Sequence, residues 1–185
     1  EAQCYHRLDR IDESIKAYQM LIKRFSQAKE SGEASMQIGQ MEVGRKNAEA
    51  ARQQLEGILH RNEWRGAMHA QALLWIGRAY VAEEKYAEAH GFYERIILGY
   101  PGFSEELAMA FYEDIQVLKL MGEPTSVQMT YDAFKLTPGL EDTEGAALIA
   151  SMVVIESRHV VALATIAGKS PVGDIDLFLV TPEAA

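Results

Sequence analysis

Five histidines, one cysteine and two adjacent glutamate pairs are the side chains singled out here because their types could do chemistry. His6, His60, His69, His90 and His159 fall in different segments. No two stand four apart, the spacing that places two metal ligands on one helical face, and no HExxH occurs. His60 and His69 straddle the turn 61–66, where they read as a surface pair rather than a ligand set. Glu83-Glu84 and Glu105-Glu106 fall at or near predicted helix ends, the second pair in a first turn where unpaired amides favour negative charge. General acid/base catalysis needs two carboxylates in different environments across a cleft, which neighbours on one turn do not supply. Cys4 has only His6 and Arg7, two and three residues on, as nearby basic residues, and neither shares its helical face well, so no catalytic role is expected for its thiol. Gly168-Lys169-Ser170 has the ending of a phosphate-binding loop, but Leu163 stands where that loop needs its first glycine. There is no nucleophile elbow and no dinucleotide fingerprint. The expectation is no enzyme, with no catalytic, cofactor-binding or metal-binding residue.

The chain that carries these residues is built to fold. Its 185 residues suit one domain or a short repeat array, and 48% hydrophobic against 24% charged residues supports a packed core. A formal charge of -9, with a pI near 5.1, argues against a nucleic-acid backbone as partner. No apolar run reaches the ~18 residues of a membrane helix; the least charged stretch, 145–167, is broken by Glu156, Arg158 and His159. One cysteine excludes an internal disulfide and a multi-cysteine zinc site. Residues 1–68 carry 11 Lys and Arg against 10 Asp and Glu, and residues 69–185 carry 7 against 17. The acidic second half reads first as a solvated face and second as a surface for a basic partner. The numbering opens at Glu1 rather than methionine, and 1–8 reads as the tail of a helix, so a piece of a longer chain is expected.

A repeat runs through most of the sequence. In the stretch 73–101, Gly77 is followed by Tyr80, Ala89, Tyr93, Ile96 and Pro101. The same template picks out Tyr5, Ser14, Tyr18, Leu21 and Ser26; then Gly39, Glu42, Ala51, Leu55 and Ile58; then Ile115, Leu118, Val127, Tyr131 and Phe134. The equivalent positions Tyr5, Glu42, Tyr80 and Leu118 are 37, 38 and 38 residues apart. Each unit reads as two antiparallel helices. In the third, a first helix over about 65–82 puts Leu73, Ile76, Gly77 and Tyr80 on one face, and Gly77 admits a close crossing. A second helix over about 86–98 presents Ala89, Tyr93 and Ile96, with Gly99 and Pro101 as its stop. In the fourth, Ser104 is the expected cap, Gly122 the terminator and Pro124 the opening of the next helix.

These residues resemble the tetratricopeptide repeat family, the third unit most closely, with Leu73 where the family usually has tryptophan. The resemblance covers 1–140, in units of about 1–30, 31–64, 65–103 and 104–140. It departs from the pattern at Glu42, in a tyrosine slot, and at Val127, in an alanine slot. The period exceeds the family's usual 34 residues, so longer turns between units are expected. The segment 93–115 resembles repeats of bacterial envelope proteins, which implies a periplasmic or envelope location without excluding the cytoplasm. The implied fold is an all-α, right-handed solenoid of antiparallel helix pairs. Residues 141–168 are expected to cap it, with a helix from Thr143 or Glu144 carrying Leu148, Ile149, Met152 and Ile155; 160–167 suits a second helix or a strand. Residues 169–185 are expected to form an extended tail, in which 174–180 begins with polar and apolar alternation, ends in an apolar run and could also pair as a strand.

The resemblance also implies where a partner would sit, because the family's first helices line a concave face. Helical spacing places Met36, Gln40 and Val43 there from the second unit. The third contributes Gln71, Leu74, Arg78 and Val81, and the fourth Met109, Tyr112, Gln116 and Lys119. This mixture suits an apolar peptide or helix, with selectivity from Arg78, Gln116 and Lys119. The family's carboxylate clamp needs lysine and asparagine where this chain has Met36 and Gln40, then Leu74 and Arg78, so chaperone C-termini are not implied. The expected function is a protein-interaction scaffold. The alternatives are self-assembly, through the open repeat edge or 175–180, and a regulatory domain of a larger enzyme.

Overall fold

A computed structural model describes residues 1–152, and all regular structure among them is helical. The expectations for 153–168 and for the tail 169–185 lie outside the described residues. Four helix pairs follow one another: α1 (Ala2–Arg7) with α2 (Ile11–Arg24), α3 (Lys29–Gly44) with α4 (Ala48–Leu59), α5 (Ala67–Ala82) with α6 (Tyr86–Gly99), and α7 (Ser104–Met121) with α8 (Pro124–Leu136). Each helix packs on the next, and α5 also packs on both α3 and α7. The first helices therefore form one layer and the second helices the other, an all-α solenoid.

The template residues are the contacts that close each pair. Ala51, Leu55 and Ile58 of α4, and Ala89, Tyr93 and Ile96 of α6, are completely buried. Gly77 and Gly39 are the crossing points: a β-carbon on Gly77 would lie 2.7 Å from Tyr93 Cζ, and one on Gly39 would lie 2.5 Å from Leu55 Cγ. In the first pair Ala2 holds the equivalent place, and the buried Ser14 donates its hydroxyl to the Ala2 carbonyl at 2.9 Å.

The repeat period has a backbone cause. Each pair turns through a residue in the left-handed region: Asp9 (φ 57°), Lys46 (59°), Glu84 (59°) and Gly122 (73°). The following amide reaches back to close a Schellman turn. Arg10 N–H donates to Tyr5 O at 2.9 Å, Asn47 to Glu42 at 2.9 Å, Lys85 to Tyr80 at 3.0 Å and Glu123 to Leu118 at 3.0 Å. The position shared by Tyr5, Glu42, Tyr80 and Leu118 is thus where a backbone carbonyl receives the turn, which is why glutamate and leucine serve there as well as tyrosine.

Several local expectations change. The α5 helix begins at Ala67 rather than Arg65, because Asn62–Trp64 form a 3-10 turn and Gly66 adopts φ 114°. Gly99 stays inside α6, and the stop is Tyr100 at φ -133°, whose amide still donates to Ile96 O. Ser104 is the first helical residue rather than the cap, because the Phe103 carbonyl already accepts from Leu107 at 2.8 Å. The seven residues 60–66 make a long connection, but only 100–103 join the third pair to the fourth; the remaining length lies in helices of 16 and 14 residues.

After α8, a further helical stretch starts at 144 and runs to the last described residue, 152. The Thr143 hydroxyl accepts from the Ala146 amide at 3.2 Å and caps it. Gly145 lies backbone to backbone on α7, where a β-carbon would sit 2.6 Å from Met109 N. Ile149, 1% exposed, joins Leu107, Phe111 and Leu140 in the core, covering the face that α7 and α8 would otherwise leave open.

Candidate functional site

The layer of first helices carries a cleft of about 260 Å³ between α5 and α7. Val81 and Leu120 form its rim, Tyr93 and Val117 its floor, and Arg78, Glu113 and Gln116 its polar wall. Leu120 is 61% exposed, whereas Val117 is 2% exposed and Tyr93 fully buried. Burial and the neighbouring Glu113 carboxylate push the Tyr93 phenol far up, so it stays protonated.

Two polar rungs cross from α5 to α7, one heptad apart on each helix. Gln71 Nε2 donates to Glu106 Oε1 at 2.8 Å, and Arg78 Nε donates to Glu113 Oε1 at 2.7 Å. The Arg78 guanidinium also lies 4.3 Å over the Trp75 ring. Further along, Gln116 Nε2 donates to Met152 Sδ. The polar groups expected to read a ligand are therefore committed to neighbouring helices. What the cleft offers is an apolar slot with one charged pair at its side.

Of the residues placed on this face by helical spacing, the structure brings Arg78, Val81 and Gln116 into the cleft. Met36 and Leu74 do not belong on it. Met36, 4% exposed, packs with Leu55, Ile58 and Ile76, and Leu74, 6% exposed, packs with Tyr93 and Val117. Val43 is half-buried against Ala48, Ala51 and Ala79, and Gln40 accepts from Gln37 at 3.2 Å. Met109 and Tyr112 are half-buried against core clusters, and Lys119 is half-buried in the last turn of α7. Sequence reasoning missed Glu113, Val117 and Leu120. The stripe 109, 112, 116 and 119 lies one residue from the stripe 113, 116, 117 and 120, a rotation of about 100° that spacing alone does not resolve. Leu120, apolar and four residues beyond Gln116, was the available signal.

A second cleft, of about 480 Å³, lies between α4 and α6 and is polar. Arg52, 8% exposed, forms its base: it donates to Glu83 Oε2 at 2.6 Å and Glu49 Oε2 at 2.5 Å, and lies 4.6 Å over the Tyr80 ring. Arg52 and Lys85 hold the Glu83 carboxyl below its ordinary range. Tyr80 in turn stacks on Phe92, with ring centroids 5.3 Å apart. The Glu83-Glu84 pair is accounted for structurally, one residue in this network and the other in a turn.

The histidines are also placed by structure. His69 is buried, its Nε2 2.9 Å from the Arg61 carbonyl, whereas His60 is exposed. His90 Nδ1 donates to Asp114 Oδ1 at 2.6 Å. Asp114 is 1% exposed, and burial pushes its carboxyl above the ordinary range against the opposing pull of His90 and the Thr130 hydroxyl. Among the described residues no group of three or more His, Cys, Asp or Glu side chains could hold a metal ion, and no helix is long and apolar enough to cross a membrane.

Comparison with known proteins agrees with this architecture. No curated protein and no solved structure matches the chain. Residues 1–28 and 71–102 match the family model described as tetratricopeptide repeat. The unmatched second and fourth units include Glu42 and Val127, the departures from the family pattern. Tetratricopeptide repeats are protein-interaction modules, typically non-catalytic. The match at 1–28 and 71–102 supports a tetratricopeptide repeat family, and the described chain has that family's kind of fold, an all-α solenoid of successively packed helix pairs.

Proposed function

We propose that this protein is an interaction scaffold that takes an apolar segment of a partner protein into the cleft between α5 and α7. The observation that carries this reading is Leu120, a large apolar side chain left 61% exposed at the rim of an apolar slot. Affinity comes from covering Leu120, Val81 and the floor beneath them. The Arg78–Glu113 pair orients the segment without offering an uncompensated charge. An envelope location is part of the proposal and rests on the resemblance of 93–115. Capture of partners from native lysate by the parent chain and by Val81→Glu/Leu120→Glu tests the groove. The expected outcome is a band lost in a variant that keeps its helical circular dichroism. A band retained at equal strength would remove the cleft as the site.

A second reading, self-association through the first pair, is favoured by Leu8, Met20 and Phe25, which are 67%, 64% and 53% exposed there. Light scattering of the parent and of Met20→Glu/Phe25→Glu decides it; a monomer in both excludes it.

A further inference from the structure

We propose that the cleft between α4 and α6 is a second docking site, which receives a basic segment of a partner protein. The cleft exists because the two layers pack differently: α3 rests on α5 and α5 on α7, but no comparable contact joins α4 to α6. Tyr80 of α5, stacked on Phe92, stands between them. On α4 the lining residues Glu49, Arg52, Gln53 and Glu56 recur at the spacing of one helical face. Glu88 in the first turn of α6, and Lys85 just before it, form the opposite wall.

Charge decides what such a cleft takes. Its two cations are already satisfied, Arg52 by Glu49 and Glu83, and Lys85 by Glu83 at 2.9 Å. Glu56 and Glu88, one on each wall, are exposed, and neither has an ion pair with another described residue. Counting Glu83, four carboxylates face two cations, a surplus of two negative charges. An anionic ligand would have to break the Arg52 pairs and then lie beside these carboxylates. A lysine or arginine side chain entering from solvent meets both walls and leaves the floor undisturbed. At about 480 Å³ the space admits more than one side chain, which suits a segment of chain over a single small cation. The excess of acidic residues over 69–185, 17 against 7 Lys and Arg, draws a basic partner in at longer range.

The test uses the full chain and a fluorescein-labelled peptide of alternating lysine and alanine, followed by anisotropy at low salt, with a glutamate and alanine peptide as the reference that should not bind. Glu56→Gln/Glu88→Gln is expected to weaken the lysine peptide about tenfold, the loss of two partly screened ion pairs. Added salt is expected to weaken binding to the parent in the same direction. Glu30→Gln/Glu141→Gln removes the same charge at exposed positions outside the cleft lining and is expected to leave binding unchanged. Equal loss in the two variants would reduce the effect to net charge and overturn the assignment, as would a parent chain that does not bind the peptide. Displacement by free spermidine at concentrations equal to the peptide's would overturn the protein segment as occupant. Val81 and Leu120 lie outside this cleft, so it and the groove between α5 and α7 fail separately.

Discussion

Asp114 shows how a single side chain ties three helices. Its buried carboxylate accepts from His90 of α6 and interacts with Thr130 of α8, while it sits on α7. Because burial raises its pKa, the folded chain holds this proton at pH values where the unfolded chain has released it. Stability is therefore greatest below that range and declines as pH rises through it, since ionising the folded-state carboxyl costs more than ionising the exposed one. Asp114→Asn keeps an acceptor for His90 and removes the titration. Melting temperature followed from about pH 4 upward should fall less steeply in the variant than in the parent. Parallel curves would show that the carboxyl does not titrate in the fold as described. None of this was legible in the sequence, where Asp114 is one acidic residue in a helical run and only tertiary burial separates it from Glu113 beside it.

At the scale of elements, the turns inside the pairs make the sharpest test. Four equivalent positions adopt left-handed backbone, yet only Gly122 is a glycine. The other three place a β-carbon where an L-residue is disfavoured, at a cost on the order of 1 kcal/mol each. Glu84→Gly is expected to raise the unfolding free energy measured in urea by up to about 1 kcal/mol, and Gly122→Ala to lower it by a similar amount. A loss on Glu84→Gly would mean that its side chain contributes more than the strain costs. The sequence disclosed the period of these turns, through Tyr5, Glu42, Tyr80 and Leu118, but not their geometry. With Asp9, Lys46 and Glu84 at three of the four corners, the usual glycine signal was missing. Helix existence and pairing were readable because small and aromatic residues recur where α4 and α6 cross their partners. The cleft was half readable: Arg78, Val81 and Gln116 lie on it, but Met36 and Leu74 pack inward, because a solenoid buries two stripes of each first helix rather than one.

Across the whole molecule, contacts run between successive helices and between neighbouring first helices, so stability is a sum of local interfaces. The α5 helix is held by α3, α4, α6 and α7, whereas α1 has six residues and buries none of them. Native-state hydrogen exchange should find the amides of α5 protected at least about a hundredfold more than those of α1. Uniform protection would instead mean that the array opens only as one cooperative unit. The two rungs from α5 to α7 act at this scale as well. Gln71–Glu106 and Arg78–Glu113 span the open face seven residues apart, so the two helices cannot spread without separating a charged pair. The space between them is a slot of set width. Under the function proposed above, it would discriminate by the girth of the side chain offered to it, as a gauge does, rather than by shaping itself around whatever arrives.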